Sequence, residues 1–540
     1  MEEIFDFVVI GSGSAGCVAA ARIVERSEAT VLLLEAGGTD DSMFFRMPAG
    51  TPKVLATRTW PYETEADPAT GNRRMTVAQG RVLGGSSSVN GMIYIRGQRE
   101  DFDDWRDVYG CHGWGYDDLL PYFRCAEANE TLSDIYHGTT GPLSVSDTRY
   151  RYPLSGAFIR AAQETGLPYT HDFNGASQLG VGWYQTTTRG GERASVARAY
   201  LPAVRANPRL QIRTDALVHR VVVENRRAVA VEYAGKGGRI SRVRVGSEVI
   251  LAAGAIGSPK ILLLSGIGPA DELARHGIEQ KGDLPVGHNY QDHLHLSVSA
   301  STKTGLSLDG HIRGLKTLMT GIQWMAFRSG MAASNLLEAG AFIDTTGAGR
   351  PDVQIHFVPL FDRWDDPTGI TDGYTHGLTL KVGHLRPKAR GRVTLASADP
   401  EAMVRIHGNH LGHPDDIDGQ IRAVRAALEI TNAPSLRAVI DEVFSPVPSS
   451  FAADETAYYD AGKLETWIRK ACKTVYHPVG TCRMGPDPVT SVVAPSLRVH
   501  GFDGLRVIDS SIFPAITSGN TNAPVIAVAE KAVDAILGNH

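Results

Sequence analysis

The sequence predicts an α/β protein in which a discontinuous, Rossmann-like dinucleotide-binding domain is combined with a second, α+β domain built on an antiparallel sheet. Three observations lead to this prediction. The 540 residues exceed what one hydrophobic core usually serves. The amino-terminal segment reads as strand, glycine-rich turn, helix and strand, the order of a βαβ unit. Buried strands recur near residues 250 and 505, so distant segments are expected to share the first domain.

The composition indicates a globular chain without a nucleic-acid partner. Hydrophobic residues make up 42% and charged residues 21%, and the net charge of −5 is spread without long runs. Five scattered cysteines without a CxxC pair favour a reducing, cytoplasmic setting, and the acidic first residues are unlike a secretory signal. No apolar stretch approaches 18 residues, so membrane association would be peripheral, at the inner membrane face. The sequence leaves the oligomeric state open.

The stretch "FDFVVIGSGSAG" has the pattern of a dinucleotide fingerprint. Residues 7–10 predict a strand that is buried on both faces. Gly11 suits the tight turn, Gly13 lets backbone approach a pyrophosphate, and Gly16 allows close packing of helix on strand. The predicted pyrophosphate-binding turn consists of Gly11, Ser12, Gly13, Ser14, Ala15 and Gly16.

The second strand, "TVLLLE", ends at Glu35, which is followed by Ala36. Glu35 lies 19 residues after Gly16, where a carboxylate accepts hydrogen bonds from ribose hydroxyls and repels a 2′-phosphate. This disfavours NADP. The fingerprint does not separate FAD from NAD.

Three further segments predict more of the same site. "GRVLGGSSSVNGMIYIRG" would let backbone lie close to a flat ligand or a phosphate, although a plain glycine-rich turn is the alternative. "EVILAAGAIGSPK" and "LRVIDSSIFP" each contain an apolar strand that is followed by small or acidic residues. The candidate ligand-binding residues are Arg81, Val82, Gly85, Ser86, Asn90, Gly91, Met92, Ala253, Gly254, Asp509, Ser510, Asn520, Thr521 and Asn522.

Two helices are expected after these strands. The first should begin at Ser258 and Pro259 and end at Gly266. The second should have Asn522 as its N-cap and end at Gly538.

Five motifs, ordered from residue 11 to residue 524, resemble the glucose-methanol-choline (GMC) family of FAD-dependent oxidoreductases along the whole chain. "GRVLGGSSSVNGMIYIRGQREDFD" and "GAIGSPKILLLSGIG" match the two signature stretches of that family. "HPVGTCRMG" and "GNTNAP" resemble its catalytic region. The bacterial alcohol and choline dehydrogenase branch is the most similar.

The resemblance implies FAD as the cofactor, with the adenine against the backbone of Val218. Some relatives attach the flavin covalently through a histidine, but the matching position here is Val89, so noncovalent FAD is expected. The helix near Asn522 would direct its positive end at the N1 and C2 carbonyl edge of the flavin. We expect the FAD domain to comprise residues 1–155, 205–300 and 470–540, and the substrate domain residues 156–204 and 301–469.

His477, in "YHPVGTCRMG", is locally open to three interpretations: a buried structural ring, a metal ligand or a catalytic base. His-x4-Cys offers two ligands where a metal site needs three or four, and the histidines at 407, 410 and 413 favour loop and capping roles, so no metal is expected. The resemblance implies that His477 takes the hydroxyl proton of an alcohol or stabilises the developing alkoxide, and that Asn520 hydrogen-bonds the alcohol oxygen.

The substrate-side candidates are Glu338 and Trp364, in the region from about 300 to 470. Glu338 matches a carboxylate of choline-oxidising relatives, but relatives that act on other alcohols carry it too. The aromatic and methionine residues of this region favour an apolar or aromatic alcohol.

The expected reaction is oxidation of a primary alcohol to the aldehyde by hydride transfer to flavin N5, with electrons passed to a quinone or a dye-like acceptor. The alternatives are an alcohol oxidase that converts O2 to H2O2, a flavin-dependent lyase of the same family, an NAD-dependent dehydrogenase, and a non-catalytic dinucleotide-binding protein. No G-x-S-x-G elbow supports a serine hydrolase.

Overall fold

Two seven-stranded sheets, each with its own hydrophobic core, organise the part of the chain that the structure describes. The structure is a computed structural model that describes residues 2–303, 305–310, 314–362, 376–446 and 460–538. Trp364, a predicted substrate-side residue, lies outside the described residues.

The first sheet has the predicted Rossmann-like core. Its central strand, Ile4–Ile10, lies parallel to Val31–Leu34 on one side and to Ile240–Leu251 on the other. Leu505–Val507 pairs in parallel with the end of Ile240–Leu251, which confirms that the carboxyl-terminal segment completes the sheet that the first strand begins. The remaining strands of this sheet are Leu210–Arg213, Leu217–Glu224 and Arg227–Ala234.

The central parallel strands of this sheet are buried, which explains why residues 7–10 and 31–34 are continuously apolar. Phe7, Val8, Val9 and Ile10 are all buried. Helix Ser14–Arg26 follows the glycine turn directly and packs along the last helix of the chain. The principal helices of this half are Ser14–Arg26, Arg99–Asp107, Tyr116–Ala126, Gly254–Leu264 and Asn522–Leu537.

Helix Gly254–Leu264 begins four residues before the predicted start, so Pro259 lies inside it. Proline has no N–H to donate to the carbonyl of Ala255. That carbonyl instead accepts a hydrogen bond of 2.6 Å from the Thr481 hydroxyl, which offsets the loss. The last helix has Thr521 and not Asn522 as its N-cap, and ends as predicted at Gly538.

The second sheet is antiparallel throughout, as predicted. One face packs against helices Pro414–Asn432 and Pro153–Glu164 and forms the second core. Strand Leu294–Thr302 belongs to this sheet and crosses the predicted domain boundary at residue 300. In spatial order its strands are Ile440–Ser445, Leu294–Thr302, Gly377–His384, Val353–Val358, Ala339–Ile343 and Gly180–Trp183, with Lys473–Thr474 paired to the second of these.

Shorter elements connect the two halves. The further helices are Met43–Arg46, Thr51–Thr57, Val196–Tyr200, Ala270–Arg275, Gly314–Phe327, Pro434–Arg437 and Ala461–Ala471. The small strands are Thr59–Trp60, Gln79–Gly80, Glu127–Asn129, Leu143–Asp147, Gln185–Thr186, Thr188–Arg189, Glu192–Arg193, His288–Tyr290, Gly391–Thr394 and Arg405–His407. No described helix is both long enough and apolar enough to cross a lipid bilayer.

The first and last helices are joined by a buried carboxylate. Glu530 is fully buried and accepts hydrogen bonds of 2.9 and 2.8 Å from the Arg22 guanidinium. The Tyr200 hydroxyl donates to the same carboxylate at 2.9 Å, and Arg26 donates at 3.3 Å. Several donors therefore compensate the cost of burying this charge.

Removal of this carboxylate should destabilise the first domain. In Glu530→Ala, Arg22 and Tyr200 lose their shared acceptor inside the protein, so we expect the free energy of unfolding to fall by about 3 kcal/mol. The measurement is the midpoint of urea unfolding. Glu25→Ala is the control because Glu25 is exposed and bonds the same Arg22 at 2.8 Å; it should cost less than about 0.5 kcal/mol. Equal losses in the two variants would contradict this account.

Candidate active site

A cavity of about 880 Å³ is lined by residues from both halves of the chain. One end is formed by the glycine turn after the first strand and by the carboxyl end of Val31–Leu34. The other end reaches His356 and Lys381 on the second sheet. The cavity therefore joins the predicted dinucleotide cleft to the predicted substrate region.

Most of the predicted cofactor residues line this cavity. Those that do so are Gly11, Gly13, Ser14, Ala15, Glu35, Ala36, Gly85, Ser86, Asn90, Gly91, Met92, Val218, Ala253, Gly254, Asp509, Ser510, Asn520, Thr521 and Asn522. Four predicted residues do not line it. Ser12 bonds Glu35, Gly16 packs on the turn, Val82 is buried, and Arg81 stacks on the Trp60 ring at 4.4 Å.

The glycine turn has room for a ligand at one position only. A Cβ at Gly11 would lie 2.5 Å from the Ala252 carbonyl oxygen, and one at Gly16 would lie 1.8 Å from the Gly11 oxygen. A Cβ at Gly13 would meet no described heavy atom closer than 4.0 Å. The side of Gly13 is thus open to the cavity while the other two glycines are packed. This geometry fits a pyrophosphate at the positive end of helix Ser14–Arg26.

Glu35 is fixed at the end of the second strand. Its carboxylate accepts hydrogen bonds from the Ser12 N–H at 3.0 Å, the Ser12 hydroxyl at 2.7 Å and the Gly37 N–H at 2.8 Å. Burial raises the pKa of Glu35, and the three donors oppose that effect. The carboxylate also lines the cavity, where a ribose can donate hydrogen bonds to it.

Asp509 connects the returning segment to the middle of the chain. Its carboxylate accepts from the Gly254 N–H at 2.9 Å, the Ser258 hydroxyl at 2.5 Å and the Ser511 N–H at 2.9 Å. Ser14 donates at 2.6 Å to the Asn522 side chain, so the first and last helices also meet at the cavity.

A chain of hydrogen bonds sets the tautomer of His477. His293 Nε2 lies 2.8 Å from the Leu385 carbonyl oxygen, which only accepts, so Nε2 of His293 carries the proton and its Nδ1 is an acceptor. His477 Nδ1, 3.2 Å away, must then donate to that Nδ1. His477 Nε2 is left unprotonated and accepts from the Asn520 amide at 3.2 Å. Gln354 completes the chain by donating to the Asn520 oxygen at 3.3 Å.

The electrostatic environment keeps His477 neutral. Enclosure lowers its pKa well below 6.5, and His293 and His356 add to the effect. Burial likewise lowers the pKa of His293 to about 4 and of His356 to about 3. A neutral imidazole that lines a cavity and has an unprotonated Nε2 is suited to accept a proton.

The backbone around His477 is held firmly. Its N–H donates to the Asp292 carboxylate at 2.8 Å, and burial raises the pKa of Asp292 to about 8. Tyr476, the preceding residue, has a φ of 64°, which is uncommon for a residue with a side chain and indicates local strain. Gln79 donates to the Tyr476 carbonyl at 3.2 Å and supports this conformation.

The second sheet contributes cavity residues that belong to none of the sequence motifs. Cross-strand register pairs His356 with Lys381, Lys381 with Ser297, and His295 with Lys473, so these side chains share one face. The alternate residues of the same strands are apolar and belong to the second core. The period-2 alternation in "LHLSVS", "VQIHFV" and "LTLKVG" is the signal that predicts this polar face.

Glu338 does not line the cavity. It is fully buried and accepts from the Tyr152 N–H at 2.7 Å, the Ser334 hydroxyl at 2.6 Å and the Ser155 hydroxyl at 3.1 Å. These contacts join the strand Ala339–Ile343 to the start of helix Pro153–Glu164.

Among the described residues, one group has metal-ligand spacing: Asp134, His137 and Asp172. His137 bonds both Asp172 and Glu127 at 3.1 Å, and these two carboxylates raise its pKa to about 9 against the opposing effect of burial. None of the three lines the cavity. His137 pairs with Asp172, and Asp134 accepts a hydrogen bond of 3.0 Å from the His137 backbone N–H. His413 caps helix Pro414–Asn432 by accepting from the Asp415 N–H at 3.2 Å, as the capping interpretation predicts.

Two family profiles match this chain and identify its family. The profile for the amino-terminal part of the GMC oxidoreductases matches residues 5–295, and that for the carboxyl-terminal part matches residues 387–529. The chain belongs to the GMC oxidoreductase family. As such it is an FAD-dependent enzyme that oxidises an alcohol.

Similar proteins match this GMC oxidoreductase in sequence and in structure along nearly its whole length. It is 41% identical over 538 residues to an oxygen-dependent choline dehydrogenase of Sinorhizobium fredii, covering 99% of this chain and 95% of the relative. A pyridoxine 4-oxidase from Mesorbium loti superposes with a TM-score of 0.87 at 30% identity, covering 99% of both chains. An FAD-dependent oxidoreductase from Chaetomium thermophilum superposes with a TM-score of 0.90 at 25% identity, again over 99% of both chains.

A side chain at Gly13 should prevent FAD binding without preventing folding. The protein leaves space for a Cβ there, and the φ of −70° suits any residue, but the added atoms of Gly13→Val would occupy the space needed for the pyrophosphate. We expect FAD affinity to fall roughly tenfold or more. The measurement is the visible absorbance of the purified protein, with circular dichroism to check folding. Gly462→Ala, in a helix away from the cavity, is the control, and full flavin content in Gly13→Val would contradict the site.

The His293 acceptor should control the rate through the His477 tautomer. Because the pKa of His477 is lowered well below 6.5, the proposed base stays unprotonated at pH 6.5, and anaerobic flavin reduction by an alcohol should not slow as pH is lowered from 7 to 6.5. His293→Phe removes the acceptor and should lower this rate roughly tenfold or more at unchanged flavin content. His293→Gln restores an acceptor and should recover part of the rate. A wild-type rate in His293→Phe would show that the tautomer is set otherwise, and a loss of rate as pH falls from 7 to 6.5 would show that the pKa of His477 is not lowered.

Proposed function

We propose that this GMC oxidoreductase oxidises an uncharged primary alcohol to the aldehyde and passes the electrons from FAD to a quinone or a dye-like acceptor. The observation that carries the proposal is the unprotonated His477 Nε2, which faces Asn520 in a cavity continuous with the dinucleotide cleft.

His477 and Asn520 have complementary roles at the alcohol oxygen. The two side chains lie 3.2 Å apart, so an alcohol oxygen near both can transfer its proton to His477 Nε2 and accept a hydrogen bond from the Asn520 amide. Gln354 holds the Asn520 oxygen and thereby turns the amide N–H groups towards His477. The alcohol loses a proton to the protein and a hydride from its carbon, which leaves an aldehyde.

FAD, when bound, supplies the hydride acceptor at N5 and later returns two electrons to an external acceptor. The residues that would hold it are the glycine turn, Glu35 and the segment from Asp509 to Asn522. Val89 lines the cavity where some relatives carry a flavin-linked histidine, and an aliphatic side chain forms no such bond. Noncovalent binding follows from this.

The charges at the substrate end support an uncharged alcohol. Asp362 is paired with Lys381 at 2.8 Å and with Lys473 at 3.6 Å. Asp309 accepts hydrogen bonds from two backbone N–H groups, those of Phe361 and Gly377. Within the described residues, the cavity therefore offers a quaternary ammonium no carboxylate without a partner, and Glu338 lies behind the wall. The apolar part of this end comprises Met331, Leu336, Val358, Leu360 and Phe361.

Oxygen is the second candidate acceptor. Two of the similar proteins, an oxygen-dependent choline dehydrogenase and a pyridoxine 4-oxidase, favour it. An oxidase would release H2O2 with each aldehyde, whereas a dehydrogenase would need an added quinone or dye.

We place the enzyme in a reducing, cytoplasmic compartment, since all five cysteines are free thiols.

An anaerobic alcohol panel with a His477 variant tests this function. Benzyl alcohol should bleach the visible absorbance of the wild-type flavin, and choline should bleach it far more slowly because the described part of the site offers no carboxylate without a partner. The flavin of His477→Ala should bleach at least about a hundredfold more slowly than that of the wild type, since the general base is lost. The measurement is stopped-flow absorbance at the flavin maximum, followed by dye reduction and H2O2 release on the same alcohol.

His171→Ala is the matched control, because His171 is exposed and does not line the cavity. It should bleach at the wild-type rate. Bleaching of His477→Ala at the wild-type rate would refute the assigned base. Faster bleaching by choline than by benzyl alcohol would refute the uncharged substrate class alone.

A further inference from the structure

Helix Gly314–Phe327 presents a continuous apolar face to solvent. Successive residues of an α-helix are rotated by about 100°, so residues three and four apart share a face. One face carries five large apolar side chains that are each about half exposed or more: Leu315 at 72%, Leu318 at 58%, Met319 at 63%, Ile322 at 51% and Met325 at 49%. Soluble proteins rarely expose a contiguous apolar surface of this kind without a partner.

The polarity of this helix is reversed relative to a surface helix of a soluble protein. Its opposite face carries Thr317, Thr320 and Gly321, which line the cavity. Trp324, on the same inner face, is 2% exposed and donates from its indole N–H to the Gly191 carbonyl at 2.8 Å. Thus the small polar residues face the active-site cavity, and the apolar residues face outward.

A second segment extends the apolar surface beside the cavity. Met43 and Phe44 are 38% and 36% exposed, and Phe44 also lines the cavity. Met47 and Trp324 share a small apolar cluster that joins this segment to the helix. We refer to the surface formed by Met43, Phe44, Leu315, Leu318, Met319, Ile322, Met325 and Phe327 as the apolar rim.

The apolar rim is bordered by positive charge on a chain that is negative overall. Segments 41–53, 189–192 and 314–328 contain five basic and two acidic side chains, whereas the whole chain carries −5. The basic residues are Arg46, Lys53, Arg189, Lys316 and Arg328, and the acidic residues are Asp41 and Glu192. The Lys53 ammonium lies 5.5 Å from the centre of the Phe44 ring, at the edge of the rim.

These features distinguish between two occupants of the rim. A second copy of the chain in a twofold interface would bring two positively charged borders together, which is unfavourable. An anionic lipid surface offers hydrocarbon for the apolar face and negative headgroups for the basic border. The charge complementarity favours lipid.

We propose that the apolar rim inserts into the headgroup region of an anionic lipid membrane, with the mouth of the active-site cavity at the membrane surface. The helix is about 21 Å long and would lie in the plane of the interface. An apolar alcohol or a quinone dissolved in the bilayer could then reach the cavity past Thr317 and Thr320 without crossing water. The membrane contact does not depend on which alcohol or acceptor is used.

Vesicle sedimentation with the FAD-loaded full-length protein tests the proposal. The wild type should sediment with vesicles of phosphatidylcholine mixed with phosphatidylglycerol, and added salt should weaken the binding. The double variant Leu318→Asp, Ile322→Asp should bind the vesicles at least about tenfold more weakly than the wild type, because charges replace two exposed apolar residues. Val108→Asp is the control, since Val108 is 69% exposed outside the rim, and it should bind like the wild type.

Two results would overturn the proposal. One is failure of the wild type to sediment with the anionic vesicles. The other is a wild-type dimer in light scattering that the double variant converts to a monomer, which would identify the rim as a contact between copies. Flavin absorbance and anaerobic bleaching by benzyl alcohol are recorded on the same preparations. A failure of the proposed reaction is therefore seen separately from a failure of membrane binding.

Discussion

The active site depends on the return of the carboxyl-terminal segment to the sheet begun by the first strand. Asp509 accepts hydrogen bonds from Gly254 and Ser258, and Ser14 donates to Asn522, so three distant parts of the chain meet at one cleft. The same segment carries the Asn520 amide that contacts His477. Closure of the first domain therefore assembles the dinucleotide cleft and the proposed catalytic pair together, and neither forms from a local stretch of sequence.

The two sheets serve the site in different ways because they are covered differently. In the first, the parallel strands are buried on both faces at residues 7–10 and 31–34, so these stretches are apolar and their carboxyl ends meet the cavity. The second is packed on one face, so its alternate residues are free to be polar. His295, His356 and Lys381 stand on that polar face and form the substrate end of the cavity.

Burial keeps the histidines of the site in their neutral form. The pKa values of His293, His356 and His477 are all lowered, first by burial, so the imidazoles are neutral donors and acceptors. In a neutral imidazole the position of the proton matters, and the Leu385 carbonyl fixes it two steps away from His477 Nε2. The proposed membrane contact at the cavity mouth would exclude bulk water from the same groups.

The sequence by itself determined the βαβ fingerprint, the α/β fold class and the family, because close packing and phosphate binding demand glycine at fixed spacing. It also identified His477 and Asn520, which the structure brings within 3.2 Å. Only the tertiary structure decided that Glu338 faces away from the cavity, that Pro259 is accommodated within a helix, and that His293 sets the His477 tautomer. These facts depend on partners far away in the chain, such as Thr481 and Leu385, and local spacing carries no information about them.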